Sequence, residues 1–212
     1  MLDRFAVVVA TTNSGKRREL VELLSGLPLD IQSLADLPPA PAVEEDGDTY
    51  LANALKKAIA IARWSGRATL ADDSGLEVDA LDGKPGIHSA RYAGRVQDSS
   101  ANLAKLLHAL AGVPESRRTA RFRCALVVAA PDGATLTAED SCEGQIIEAP
   151  RGRAGFGYDP IFLYPAARQT FAELPAVVKN RISHRARACA QLRPLLLEFL
   201  ARHARVSDDH SR

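Results

Sequence analysis

Apolar residues run unbroken from Phe5 to Ala10 and are rich in valine, which predicts a strand buried on both faces. Thr11-Thr12-Asn13-Ser14-Gly15 follows, a run of small polar residues suited to a tight turn. Leu20, Leu23 and Leu24 then recur at helical spacing within 16–25. Pro38, Pro39 and Pro41, with the acidic residues after them, make 36–47 a loop. Helical period returns over Thr49–Ser65, where Leu51, Ala54, Leu55, Ala58 and Ile61 share a face and Gly66 ends the helix. Ala68–Ala71 reads as a short buried strand that runs straight into Asp72-Asp73-Ser74-Gly75.

Gly83–Gly94 is a second loop, and Leu103, Leu106, Leu107 and Leu110 mark a helix that stops at Gly112 and Pro114. Two long strands are expected over Thr119–Ala130 and Thr135–Ile147, joined by a hairpin turn at Pro131-Asp132-Gly133. Gly152–Tyr164 mixes glycine and aromatic residues as loop and strand, and Leu192–Ala201 is a closing amphipathic helix. With no internal repeat and no linker, the pattern predicts one mixed α/β domain over 1–204 and a disordered tail over 205–212.

Composition narrows the partners. A chain of 212 residues, 46% of them apolar, can bury a sizeable core, and with only 5% aromatics that core is expected to be mostly Ala, Leu and Val. Lys+Arg 27 against Asp+Glu 26 leaves +1, too little to draw the chain to nucleic acid or an anionic membrane. No apolar run approaches the ~20 residues needed to span a bilayer, and the N-terminal run is too short for a signal peptide. Cys124, Cys142 and Cys189 show neither metal-ligand spacing nor an even disulfide framework. Reduced, partly buried thiols in a cytoplasmic protein are expected, with no membrane and no nucleic-acid partner.

Candidate chemistry gathers at one sheet edge. The helix over Thr49–Ser65 climbs ~25 Å, and the strand from Ala68 returns ~17 Å, which brings Asp72 and Asp73 back beside Glu44, Glu45 and Asp46. If the first strand ends at the same edge, the turn Thr11–Lys16 lies there too, where α/β sheets collect ligands. Backbone N–H groups opening a helix suit phosphate oxygens, and Lys16 adds a point charge. Carboxylates at the same place would repel phosphate unless a hard cation lies between them, so a magnesium-bound polyphosphate is the expected ligand. Lysine is scarce, six of the 27 basic residues, so a lysine at position 16 or 179 is consistent with a need for a compact charge.

Taken singly, each piece has a plain structural reading. Thr11–Lys16 is not a P-loop, because Ala10 stands where that motif has Gly and Arg17 follows the lysine. Glu44-Glu45-Asp46 also reads as a solvated loop, and Asp72–Gly75 as an ordinary turn.

The order of the motifs is more specific. Thr11–Lys16, Glu44-Glu45, Asn53-Ala54 with Lys57-Ala58, Ala71–Leu76, Gly83–Ile87 with Ser89–Tyr92, Gly155–Phe162 and Ser183-His184-Arg185 together resemble the Ham1/RdgB family, pyrophosphatases of non-standard purine nucleoside triphosphates. The resemblance implies a two-lobed α/β fold around a long mixed sheet, with the nucleotide in a cleft between lobes, in a homodimer. It implies hydrolysis of ITP, dITP or XTP to the monophosphate and pyrophosphate, by attack of a metal-activated water on the α-phosphate, with Mg²⁺ as cofactor. Carried over, Thr11, Thr12, Asn13, Ser14, Gly15 and Lys16 contact the triphosphate, Glu45 and Asp73 hold metal, and Asp73 accepts the water's proton. Ser74 touches the substrate, while Phe156, Gly157, Tyr158, Asp159, Lys179, His184 and Arg185 enclose the base. Chemically, Phe156 can stack on a purine, and Arg185 can donate to a 6-oxo group that adenine lacks. One position departs from the pattern: Ala52 stands where many relatives carry Glu, which bears on metal affinity.

Two other readings are weighed against this one. A serine hydrolase built on Asp73-Ser74-Gly75 with His88 or His184 lacks the Gly-x-Ser-x-Gly elbow and leaves Lys16 and the carboxylates without a task. A non-catalytic nucleotide-binding module of the same fold would not require both Glu45 and Asp73.

Overall fold

A computed structural model describes residues 4–94 and 98–209. Its strands form one seven-stranded sheet in the order β2-β1-β3-β4-β5-β6-β7, where β1 is Phe5–Val9, β2 Leu29–Ser33, β3 Ala68–Val78, β4 Thr119–Ala129, β5 Thr135–Ile146, β6 Phe162–Tyr164 and β7 Gln169–Thr170. β1 pairs in parallel with β2 and β3, whereas β6 pairs antiparallel with β5 and β7, so the sheet is mixed as expected. The helices are α1 Ser14–Leu23, α2 Tyr50–Ser65, α3 Ser99–Ala109, α4 Ala176–Ile182 and α5 His184–Asp209. Among the described residues no helix is long and apolar enough to cross a membrane. The chain divides into two compact units, the first made of residues up to Asp73, Ala125–Glu139 and the stretch from Ala188, the second of Ser74–Cys124 and Asp140–Arg187.

In the first unit the core is aliphatic. Val7, Val8, Val9, Leu20, Ala54, Ala58, Leu70, Val127, Leu192 and Leu196 are all buried, as the low aromatic content predicts. Asn13 caps α1 by accepting the Lys16 N–H at 3.0 Å, and this cap sets the turn between β1 and α1. Thr49 caps α2 through the Ala52 N–H at 3.1 Å, and Gly66 closes the same helix in the left-handed conformation at φ 65°. Strand β2 has no clear sequence signal: Leu29-Asp30-Ile31-Gln32-Ser33 alternates too briefly to stand out, and its parallel register with β1 is what makes it a strand.

Strand β3 is longer than the expected Ala68–Ala71. It does not end at Ala71 but continues through Asp72, Asp73, Ser74 and Gly75 to Val78. Asp, Ser and Gly favour turns when isolated, yet here they continue a strand whose neighbours in the sheet are β1, paired at Ala68–Leu70, and β4. The two aspartates therefore sit on a rigid element, not on a flexible turn.

The second unit concentrates the few aromatic residues. Phe122, Phe162 and Phe171 cluster with centroid separations of 4.6–5.8 Å around Leu76, Leu106 and Ile146, so this core departs from the expected Ala, Leu and Val. Gly144 lets β5 approach β6, because a Cβ there would meet the Phe162 ring at 2.4 Å. The expected loop 83–94 contains a six-residue 3₁₀ helix at Gly86–Arg91. α4 and β7 were not foreseen, and α5 begins at His184, eight residues before the expected Leu192, because buried polar residues interrupt its apolar pattern. α5 continues to Asp209, and the last three residues of the expected tail, 210–212, lie outside the described residues.

Candidate active site

The first unit assembles the turn Thr11–Lys16 and the acids. β1 delivers Thr11 into the turn, where its hydroxyl accepts the Asn13 N–H at 3.2 Å, and Thr12 and Ser14 are exposed. Ser14 and Gly15 open α1, whose first N–H groups have no acceptor within the helix. Lys16 reaches Asp72 Oδ1 at 2.6 Å, and Ala10 bonds Leu70 across β1 and β3, which fixes the turn beside the acids of β3. The partner of Lys16 is thus Asp72, whose side chain is fully buried.

Asp73 lies on β3 with Asn53 of α2 donating to its Oδ2 at 3.1 Å. The same Asn53 accepts the Gly47 N–H at 2.8 Å, so one amide ties the acidic loop to the catalytic candidate. Gly47 must lack a side chain, since a Cβ would stand 2.9 Å from Asn53 Oδ1. Lys57, one helical turn beyond Asn53, bonds Glu45 Oε1 at 2.5 Å and the Asp72 carbonyl at 3.2 Å. Burial pushes the Asp73 carboxyl above the usual carboxylate range; the Lys16 and Lys57 charges oppose the shift, and Glu45 adds to it.

Glu45 and Asp73 are close enough for each charge to act on the other, and both offer hard oxygen donors. Among the described residues no cluster of three or more acidic, histidine or cysteine side chains would hold an ion unaided. Two carboxylates fit Mg²⁺, which completes its octahedron with water and substrate phosphate rather than with a protein cage.

The second unit assembles an aromatic and cationic group. Phe156 is half-buried in the turn 155–159, with Gly157 in the left-handed conformation at φ 61°. Lys179 of α4 sits 4.9 Å from the Phe156 ring centroid and is bonded to Asp159. Arg185, 1% exposed, donates to Ser74 Oγ at 2.9 Å and has its guanidinium carbon 5.8 Å from the same ring. His184 is buried with its ring stacked on Phe122 at 4.8 Å, and the Tyr158 hydroxyl donates to the Ser89 carbonyl at 2.9 Å. The structure therefore brings together Ser74, Phe156, Asp159, Lys179 and Arg185, while Tyr158 and His184 face the interior.

The Ham1 family model matches residues 7–195. The chain belongs to the Ham1 family. A protein of Desulforamulus reducens called dITP/XTP pyrophosphatase is 52% identical over 190 residues, covering 90% of this chain and 94% of that protein. One of the same description from Bacillus subtilis is 48% identical over 189 residues, covering 89% and 96%. A solved Ham1 protein from Coxiella burnetii superposes with a TM-score of 0.82 at 40% identity, covering 92% of this chain and 99% of that one. Within this Ham1 chain, three residues carry interactions at the acids to which the sequence reading gave no firm role: Asn53, Lys57 and Asp72. Their signal was present in the i, i+4 spacing of Asn53 and Lys57, one polar row beside the apolar row of Ala54 and Ala58.

Proposed function

We propose that this protein hydrolyses non-standard purine nucleoside triphosphates such as dITP, ITP and XTP to the monophosphate and pyrophosphate. The observation that carries this reading is the arrangement of Glu45 and Asp73 with Lys16 and Lys57 beside the helix-opening turn Thr11–Lys16. Two curated relatives described as dITP/XTP pyrophosphatases support the substrate class.

The turn Thr11–Lys16 would hold phosphate oxygens through its N–H groups and the Lys16 ammonium. Water attacks the α-phosphorus, a new P–O bond forms, the bond to the bridging oxygen breaks, and pyrophosphate leaves. Asp73 takes the proton of that water; its extended, buried setting on β3 gives the carboxylate a fixed direction and a raised basicity. Glu45 and Asp73 would hold Mg²⁺, which when bound neutralises phosphate charge and makes a coordinated water more acidic. Phe156 offers a stacking face, and Lys179 and Arg185 donate without accepting, a set suited to a 6-oxo purine and unsuited to the amino group of adenine.

The proposal extends to a homodimer working in the cytoplasm. The family resemblance supports the first, which sedimentation at micromolar concentration decides; three buried free thiols are compatible with the second.

The test is incubation with ITP, XTP, dITP, GTP and ATP, with Mg²⁺ and with EDTA, and identification of the products. Monophosphate plus pyrophosphate, formed from the first three in preference and only with metal, is expected. Orthophosphate, or no reaction, overturns the α-phosphate chemistry and favours a binding module.

A further inference from the structure

One face of α2 fastens the acidic loop at three consecutive residues. Lys57 bonds Glu45, Lys56 bonds Asp46, and the Asn53 side-chain oxygen accepts the Gly47 N–H at 2.8 Å. Asn53 also reaches a side chain of β3: its amide nitrogen donates to Asp73 Oδ2 at 3.1 Å, and the residue is only 1% exposed. Bonds at both ends settle which way the amide points. Turned over, it would set its oxygen against a carboxylate and its NH2 against an N–H, two repulsions with little water to relieve them.

A carboxylate turns about its Cβ–Cγ bond in a broad, soft well. To take a proton from water it must present an oxygen at ~2.6–3.2 Å in the right direction. A donor held on Oδ2 stops the turn and so fixes where the other oxygen points.

We infer that Asn53 is a positioning residue for the hydrolysis, which aims the Asp73 carboxylate through Oδ2 while the Gly47 N–H holds its own amide the right way round. This rests on the reading of Asp73 given under Proposed function. Asn53 itself meets neither the water nor the nucleotide. Leucine at 53 fills much the same space and makes neither bond. Aspartate there can still accept the Gly47 N–H but sets an oxygen against Asp73. Gly47 acts one step further back. A Cβ at that position would stand 2.9 Å from both Asn53 Oδ1 and Ala52 Cβ, so alanine pushes the loop off the amide.

The experiment compares wild type with Asn53→Leu, Asn53→Asp, Gly47→Ala, Asp73→Asn and the double variant Asn53→Leu with Asp73→Asn. Steady-state kcat and KM for ITP are measured at saturating Mg²⁺. The affinity for ITP is measured separately in EDTA by titration calorimetry, where turnover plays no part. Asn53→Leu and Asn53→Asp should lower kcat by about 10–100-fold, the cost of a displaced reacting group. Their KM, and their affinity for ITP in EDTA, should stay within about twofold of wild type, because the lost interaction serves the transition state alone. Gly47→Ala should lower kcat in the same way by a smaller factor. The double variant should be no slower than Asp73→Asn, the mark of residues acting as a unit.

A wild-type kcat in Asn53→Leu or Asn53→Asp overturns the inference. So does a double variant slower than Asp73→Asn by the full Asn53→Leu factor, since Asn53 would then act independently of Asp73. Affinity for ITP in EDTA that falls as far as kcat marks a merely structural role and overturns it too. Should Asn53→Leu fail to fold, as its melting curve would show, Asn53→Asp and Gly47→Ala decide by the same readings. The underlying reading fails on a different variant: turnover near the wild-type rate in Asp73→Asn removes the proton acceptor, and the inference falls with it.

Discussion

The Lys57 ammonium lies 2.5 Å from Glu45 Oε1 and also bonds the carbonyl of Asp72, so a cation of the protein's own stands between the acidic loop and β3. Without a bound metal, this lysine offsets the repulsion among Glu45 and its neighbouring carboxylates. Lys57→Met should therefore destabilise the metal-free protein. If Glu45 and Asp73 hold Mg²⁺, saturating Mg²⁺ should restore part of the loss, because a divalent cation supplies the missing charge. Melting curves of wild type and variant, each with EDTA and with excess Mg²⁺, check this; a loss of equal size in both conditions would show that Lys57 acts by packing alone.

Asp73→Asn keeps the shape of the side chain and an oxygen for Asn53 to bond. The fold should survive, with a melting temperature within a few degrees of wild type, while turnover of ITP falls by about 10²–10⁴-fold, the range general-base catalysis supplies. Steady-state rates on a variant with a native circular dichroism spectrum are the check. Turnover near the wild-type rate would remove Asp73 as the proton acceptor.

Ala52 occupies the third helical position of α2, and its N–H is the one that Thr49 caps. A glutamate there could reach back to the Thr49 N–H and complete a reciprocal capping box. Position 52 thus has a reading at the helix end, separate from the metal. Ala52→Glu is expected to stabilise the protein by about 0.5–1 kcal/mol, visible as a higher denaturant midpoint, with kcat and its dependence on Mg²⁺ unchanged. A shift in the Mg²⁺ dependence would instead place the carboxylate with the ion.

All three cysteines are free and buried, and burial pushes the Cys142 and Cys189 thiols up to about 11. The thiolate is the reactive form, so raising the pKa starves the reaction near neutrality. Native protein at pH 8 should react with a thiol reagent far more slowly than a model thiol, and all three positions should label at once in denaturant. Fast labelling of any position in the native state would contradict its burial.

Much of the first unit is legible in the sequence because its signals are local. Val7–Val9, the turn after them and the apolar row of α2 each follow from spacing over a few residues, and chain lengths alone returned Asp73 toward Glu45. What escaped depends on distant partners. Asp72-Asp73-Ser74-Gly75 has the composition of a turn yet continues β3 inside the sheet. Arg185 and Lys179 are singled out by the resemblance, but their burial is not legible locally, since Ser74 and Asp159 bond them from far along the chain. The resemblance alone puts Tyr158 and His184 at the base; the Tyr158 hydroxyl bonds the Ser89 carbonyl and the His184 ring stacks on Phe122, long-range partners that no local pattern shows.

The first unit draws on three separate stretches of chain, and its last contribution begins at Ala188. Arg193 of α5 donates to the carbonyls of Leu23 and Ser25, and Leu192 and Leu196 are buried, so α5 closes onto the end of the helix that Thr11–Lys16 opens. During synthesis the turn Thr11–Lys16 and α1 leave the ribosome well before the part of α5 that α1 ends against. The nascent chain must carry α1 without these α5 contacts through more than a hundred intervening residues, and a premature stop before Ala188 would leave the first unit without its last contribution.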